Sequence, residues 1–94
     1  ADIVSSVVFS NKTIQLSQID IIKDGNMDGK NLQELDLRLK FGLVVIGVWD
    51  LEKSDKLDFV HTGSNPKLDS GDILVVIGSK KQINSCQKFA QKKN

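Results

Sequence analysis

Short apolar runs, separated by polar stretches, predict the order of the elements along this chain. The runs at residues 43–50 (LVVIGVWD) and 73–78 (ILVVIG) show no polar alternation, which is typical of strands covered on both faces. The run at 14–22 (IQLSQIDII) alternates first in one phase and then in the other. This change predicts a strand with a bulge or break near Ser17. A shorter run at 57–61 (LDFVH) predicts an edge strand.

The segment 31–42 (NLQELDLRLKFG) has the periodicity of a helix. Asn31 is a suitable N-cap, Glu34 three residues later completes a variant of the capping box, and Gly42 is a suitable stop. The apolar residues of its main stripe are Leu32, Leu35 and Leu39. Leu37 lies off this stripe and predicts a second buried surface, which on so small a domain points to a partner subunit.

The C-terminal segment 79–93 predicts a second helix. Ser79 and Gln82 have the spacing of a capping box, and Lys92 and Lys93 suit the negative end of the helix dipole. The apolar stripe expected to face the sheet consists of Ile83, Cys86, Phe89 and Ala90.

These elements follow the order strand, helix, two or three strands and helix, which predicts a small α+β sandwich. The N-terminal run leaves two alternatives open. Ile3, Val4, Val7 and Val8 lie at helical spacing, whereas their β-branched side chains favour a strand.

Length and charge limit the classes of function. A chain of 94 residues is one domain with a modest core, and much of its surface is available for an interface. The balance of 13 basic and 12 acidic side chains gives no general electrostatic argument for nucleic-acid binding. A single cysteine excludes an internal disulfide and suits a reducing compartment. No stretch approaches the ~20 apolar residues that a membrane span needs.

Each motif that would carry chemistry is incomplete. Gly78 stands where a phosphate loop would begin, but a lone glycine predicts an ordinary turn from strand to helix. The segment 24–29 (DGNMDG) matches the first half of a calcium loop, yet the closing glutamate position falls on Leu35. His61 is the one histidine, and Cys86 has no activating base in view. The residues therefore predict no metal site within one chain, no catalytic residues and no enzyme.

Two longer stretches resemble a known family. Residues 28–48 (DGKNLQELDLRLKFGLVVIGV) are similar to the opening of the TrkA-C domain, the C-terminal subdomain of RCK (regulator of potassium conductance) proteins. The shared features are an ELDLR helix, an aromatic-Gly stop and an apolar strand. Residues 65–83 (NPKLDSGDILVVIGSKKQI) are similar to its second half, with a proline loop, L-x-x-G-D and LVVIG. The resemblance implies a β-α-β-β-β-α sandwich of the TrkA-C type at 13–94, preceded at 1–12 by a linker or helix from another domain.

The resemblance implies a regulatory, ligand-sensing and dimerisation domain, not an enzyme. Such domains act on the cytoplasmic side of the membrane in potassium channels, potassium uptake systems and related cation transporters, and they pair as homodimers. The expected partner is a membrane transporter or channel subunit in the same chain or complex, and no nucleic acid is expected. The ligand implied at the dimer interface is cyclic di-adenosine monophosphate (cyclic di-AMP) or a divalent cation. The alternative is a purely structural assembly domain with no ligand of its own.

The resemblance places a ligand cleft at the end of the first helix and the strand after it. Asp36 and Arg38 match polar positions of the family motif, and Pro66 matches a proline loop that can wall the base. Leu43 and Val44 fall where members that bind the dinucleotide have a polar residue followed by an aliphatic one. Leu43 departs from that pattern, which favours the assembly alternative. A salt bridge within or between subunits is a second interpretation of Arg38.

Overall fold

The computed structural model describes residues 4–9, 12–50 and 56–93. Along these residues the elements are β1 (Val4–Phe9), β2 (Lys12–Asp20), α1 (Leu32–Leu35), α2 (Leu37–Phe41), β3 (Val44–Trp49), β4 (Leu57–Phe59), β5 (Ile73–Gly78) and α3 (Lys80–Gln91). The predicted α+β class is confirmed. From β2 to α3 the order is strand, helix, three strands and helix, with the first helix divided in two.

One antiparallel sheet contains every described strand, in the order β1-β2-β5-β3-β4. The apolar strands β3 and β5 are interior, and β4 is an edge strand, as the sequence predicts. The helices form a second layer, in which α3 packs on β2 and β5 while α2 packs on β3 and α3. This arrangement brings α2 and the beginning of β3 to the same end of the molecule.

The N-terminal segment forms a strand, not a helix. β1 pairs with β2 without interruption, from Val4 opposite Ser17 to Phe9 opposite Lys12. The helical alternative for this segment is therefore wrong, and the β-branched residues favoured the observed conformation. The division of the chain at residue 12 into a preceding segment and a domain stays a prediction.

β2 is a regular strand, so the bulge predicted near Ser17 is wrong. Its pairing with β1 and with β5 shows no register shift. The apolar pattern changes phase because both faces of β2 carry apolar side chains: Ile19 is buried in the core, whereas Ile14, on the opposite face, is partly exposed. The irregularity of the sheet lies in β3, where the register against β5 shifts between Val45 and Gly47.

The hydrophobic core lies between the sheet and the helices. Its largest fully buried side chains are Ile19, Met27, Leu35, Leu43, Leu68, Leu74, Val76 and Cys86. The predicted stripe of α3 is buried at Ile83, Cys86 and Ala90, while Phe89 is half-buried beside Phe41, with their ring centroids 5.5 Å apart. Burial raises the pKa of the Cys86 thiol to about 12, so this residue packs as a small hydrophobic group.

The helix predicted at 31–42 is broken at Asp36. This residue has a left-handed backbone (φ 45°, ψ 59°), ends α1, and caps α2 by accepting the Leu39 N–H at 3.4 Å. On a continuous helix, residues two apart point about 200° away from each other. Leu35 and Leu37 are nevertheless both buried in one core, at 1% and 3% exposure. The break at Asp36 is what allows both leucines to face the sheet.

Two expectations for this helix are corrected by the break. Leu39, which the periodicity placed on the buried stripe, is 82% exposed. Leu37, which was expected to face a partner subunit, belongs to the core of its own chain. A single apolar stripe cannot describe a helix whose direction changes in the middle.

Candidate functional site

A groove runs between α2, the start of β3 and the loop that follows β4. Its volume is about 430 Å³, and its lining residues are Leu32, Gln33, Asp36, Leu37, Arg38, Leu43, Val44, Val45, Val60 and Ser64. The groove is open because β4 pairs with β3 only from Gly47 to Trp49. The outer edge of β3 at Val44 and Val45 therefore has no neighbouring strand within the described part of the chain.

The structure brings four of the predicted ligand-binding residues together in this groove. Asp36 and Arg38 are exposed on the α2 side, and Val44 is 54% exposed on the strand side. Leu43 also lines the groove, but its side chain is fully buried and packs in the hydrophobic core. The binding roles of these residues stay predictions.

Pro66 lies outside the groove. It lines a neighbouring polar cleft of about 610 Å³, which shares Val60 and Ser64 with the groove. The Pro66 carbonyl accepts the Leu32 N–H at 3.2 Å. In this arrangement Pro66 holds the start of α1 and does not form a wall of the groove itself.

The first turn of α1 has its amide groups occupied by the protein. The predicted capping box is present, since Asn31 Oδ1 accepts the Glu34 N–H at 2.9 Å and Glu34 Oε1 accepts the Asn31 N–H at 2.8 Å. Asn65 Oδ1 accepts the Gln33 N–H at 2.9 Å. These hydrogen bonds fix the position of α1 on one side of the groove. Because the amide groups are already occupied, a ligand would be recognised by the side chains that line the groove.

Arg38 is the basic residue of the groove. Its guanidinium is exposed on α2 and has no ion-pair partner among the described residues. The intrachain salt bridge considered from the sequence is thus not formed within the described part of the chain, whereas a bridge between subunits stays open. A planar guanidinium with several donors is suited to bind phosphate or carboxylate oxygens.

The turn at Gly78 is closed by the protein, as the sequence predicts. Ser79 Oγ accepts the Gln82 N–H at 3.2 Å, and Gln82 Oε1 accepts the Ser79 N–H at 2.8 Å. A Cβ atom at Gly78 would overlap the Cδ2 atom of Leu43. Glycine is required here for the close approach of a core side chain, which is a packing role.

The segment 24–29, which resembles half of a calcium loop, is an ordinary loop that the Asp28 carboxylate stabilises. One carboxylate oxygen of Asp28 accepts the Asp24 N–H at 2.9 Å, and the other accepts the Ser70 N–H at 3.1 Å. Aspartates that bond to nearby backbone amides are typical of turns. Among the described residues, no cluster of three or more His, Cys, Asp or Glu side chains is placed to hold a metal.

His61 is exposed in the loop after β4. Its backbone N–H donates to Ser64 Oγ at 3.0 Å, and its ring Nδ1 lies 3.0 Å from the Thr62 carbonyl oxygen. These local contacts shape the loop that carries Val60 and Ser64 into the groove. Sequence reasoning missed both of these residues, because a contact between this loop and α2 has no local signal in the chain.

Comparison with known proteins identifies the family and the fold. The family model of the TrkA-C domain matches residues 16–91. The crystal structure of the GsuK RCK domain aligns with a TM-score of 0.67 and 20% identity, covering 100% of this chain and 19% of that chain. The GsuK channel structure aligns with a TM-score of 0.69 and 20% identity, covering 99% of this chain and 16% of that one. No curated protein sequence is detectably similar.

The family match extends from the first half of β2 to the end of α3 and includes the residues of the groove. At 20% identity the two GsuK structures show a shared fold, and this chain spans less than a fifth of either of theirs. No helix in the described ranges is long and apolar enough to cross a bilayer. The chain belongs to the TrkA-C domain family, with the fold seen in an RCK domain.

Proposed function

We propose that this chain is a ligand-sensing and dimerising regulatory domain of a potassium channel, potassium uptake system or related cation transporter. Its family and the likeness of its fold to the RCK domain of the GsuK channel support this role. The GsuK chains are several times longer, so we expect a channel or transporter subunit as partner, in the same chain or complex. The domain then lies on the cytoplasmic side of the membrane and has no catalytic activity of its own.

The chemistry of the groove carries this proposal. Val44 and Val60 provide an apolar wall, and Arg38 beside it provides a positive charge that no described residue pairs. An anionic ligand with a flat apolar part fits this pairing, and cyclic di-AMP combines phosphates with purine bases. A divalent cation fits less well, because Asp36 is the one carboxylate among the described residues that line the groove.

A second copy of the chain is the expected cover of the groove. Leu39 (82% exposed), Val44 (54%) and Phe59 (68%) are large apolar side chains on the elements that form or flank its rim. Exposed apolar surface of this kind marks association sites. A twofold interface across the groove would supply one Arg38 from each protomer, and the two phosphates of cyclic di-AMP are related by the same symmetry.

Ligand sensing in such a dimer follows from differential affinity. A ligand that contacts both protomers binds one spacing of the two grooves better than another, and it shifts the dimer toward that spacing. The shift cannot exceed the ratio of the two affinities. The attached gate would respond to the spacing, so no reactive group is needed.

Calorimetric titration of the chain with cyclic di-AMP, and separately with Ca²⁺ and K⁺, tests this proposal. Removing a hydrogen bond to a charged group typically costs about 1.5–3 kcal/mol. We therefore expect Arg38→Ala to weaken cyclic di-AMP binding by about 10- to 100-fold. Lys23→Ala, which removes an exposed cation outside the groove, is the matched control and should bind like the wild type. Absence of heat with all three ligands would refute ligand sensing.

The assembly domain without a ligand remains the second candidate, because Leu43 is fully buried and offers no polar contact to the groove. Sedimentation of Arg38→Ala separates the two candidates. Loss of the dimer in a chain that binds no ligand supports assembly alone. An intact dimer that has lost its ligand response supports sensing.

A further inference from the structure

Charge is distributed unevenly along this chain. Residues 79–94 contain five of the 13 basic residues and none of the 12 acidic ones. The formal net charge of +1 is therefore the sum of a strongly basic C-terminal segment and an acidic remainder of the chain. Most of this basic segment is α3, the longest helix of the described chain.

Three of these lysines form a row along the outer side of α3. Lys81 and Lys88 lie about 20° apart around the axis of α3, and Lys92, the C-cap residue with an extended backbone, follows about one turn later. These three residues are here called the lysine row. All three are exposed, and none has an ion-pair partner within the described ranges. The buried stripe of α3 lies on the opposite side of the helix, so the row points directly away from the core.

The shallow depression beside Lys81 and Lys88 is lined by polar and basic residues. Asn84 and Ser85 lie between Lys81 and Lys88 and are exposed, and Lys80 flanks them in the same shallow depression. The one aromatic residue of α3, Phe89, packs against Phe41 and lies beneath the Lys40 ammonium, 5.0 Å from it. The face thus offers a partner flexible ammonium groups and small polar side chains.

We propose that the lysine row of α3 is a membrane-contact surface that docks the domain on anionic lipid headgroups. This inference rests on the proposed function, which places the domain beside a membrane. Protein interfaces usually depend on buried aromatic or arginine anchors, and this face has neither. Nucleic-acid sites usually add arginine forks or stacking aromatic residues to their lysines. Ammonium groups without such anchors suit a diffuse, laterally mobile negative surface.

Such docking is purely electrostatic and therefore weak and sensitive to salt. A lysine near an anionic bilayer contributes a factor of about five to the partition coefficient. The Debye length falls from about 8 Å at physiological ionic strength to about 3 Å at 1 M salt, which screens the contact. Tethering to a membrane subunit would raise the local concentration, so weak docking is sufficient to orient the domain.

Co-sedimentation of the 94-residue chain with vesicles tests the inference. One vesicle preparation is phosphatidylcholine alone, and the other contains equal parts of phosphatidylcholine and phosphatidylglycerol. We expect binding to the anionic vesicles only, lost at 1 M salt, and lowered about 25-fold in Lys81→Gln/Lys88→Gln. Lys23→Gln/Lys67→Gln removes the same charge from exposed positions outside α3 and should bind like the wild type.

Three outcomes would overturn the inference: equal binding to both vesicle types, equal losses in the two double variants, or tighter binding to duplex DNA or to an acidic peptide than to anionic vesicles. Circular dichroism of both variants verifies folding, which exposed lysines should not affect. Titration of the wild type with cyclic di-AMP separates this inference from the proposed function. A silent wild-type titration with normal vesicle binding refutes ligand sensing alone, and the converse result refutes membrane docking alone.

Discussion

Leu37 and Leu39 lie two residues apart in α2, and replacing either by alanine removes the same atoms from two different environments. Leu37 is 3% exposed within the core, whereas Leu39 is 82% exposed. Truncating a buried leucine costs about 2–5 kcal/mol, because transfer free energy is lost and a cavity remains. Truncating an exposed one changes stability by about 0.5 kcal/mol or less. We expect Leu37→Ala to lower the free energy of unfolding by about 3 kcal/mol and Leu39→Ala to leave it nearly unchanged.

Urea denaturation followed by circular dichroism measures the difference. Low protein concentration is required, because association through Leu39 would otherwise add to the apparent stability. In a domain of this size 1 kcal/mol corresponds to about 4–8 °C in the melting temperature, so Leu37→Ala should melt more than about 10 °C below Leu39→Ala. A larger loss in Leu39→Ala would refute the break at Asp36, because a continuous helix would bury Leu35 and Leu39 together and expose Leu37.

Two further substitutions test the packing of the core. Gly78→Ala should destabilise the fold by about 1–3 kcal/mol, because its Cβ would overlap the fully buried Leu43, and an unchanged melting temperature would contradict the close packing of this turn. Cys86 should make stability depend on pH, because burial raises its pKa from 9.0 to about 12. Below pH 9 the thiol is protonated in both states, whereas between about pH 9 and 12 it ionises only in the unfolded chain, so stability should fall as pH rises through this range. Denaturation of the wild type and of Cys86→Ala across this pH range should show that the free energy of unfolding declines less steeply in the variant. Parallel declines would show that the Cys86 thiol does not cause the pH dependence.

The local signals in the sequence predict several elements correctly. Ser79 and Gln82 form the expected capping box, and α3 buries the expected stripe except at Phe89, which is half-buried. The two unbroken apolar runs become interior strands of the sheet. These features depend on contacts between residues close in the chain, or on burial that composition alone predicts, and so periodicity is sufficient to find them.

The groove was predictable only in part. The family resemblance pointed to Asp36, Arg38 and Val44, and all three line it. Val60 and Ser64 were missed, since they reach the groove only because β4 ends early and its following loop turns back toward α2. Pro66 lines the neighbouring cleft, with its carbonyl bonded to the start of α1, and its predicted contact with a ligand stays a prediction. A pattern along the chain cannot report which loops meet across space.

The sequence by itself determined the α+β class, the two capping boxes and the concentration of lysines on the last helix. Only the tertiary structure decided that the first helix breaks at Asp36, that β2 runs without a bulge, and that the N-terminal run is a strand. The physical reason is the same in each case. Local propensities differ by less than about 1 kcal/mol per residue, whereas burying a leucine or completing a strand pair against the sheet is worth more, so packing overrules periodicity where the two disagree.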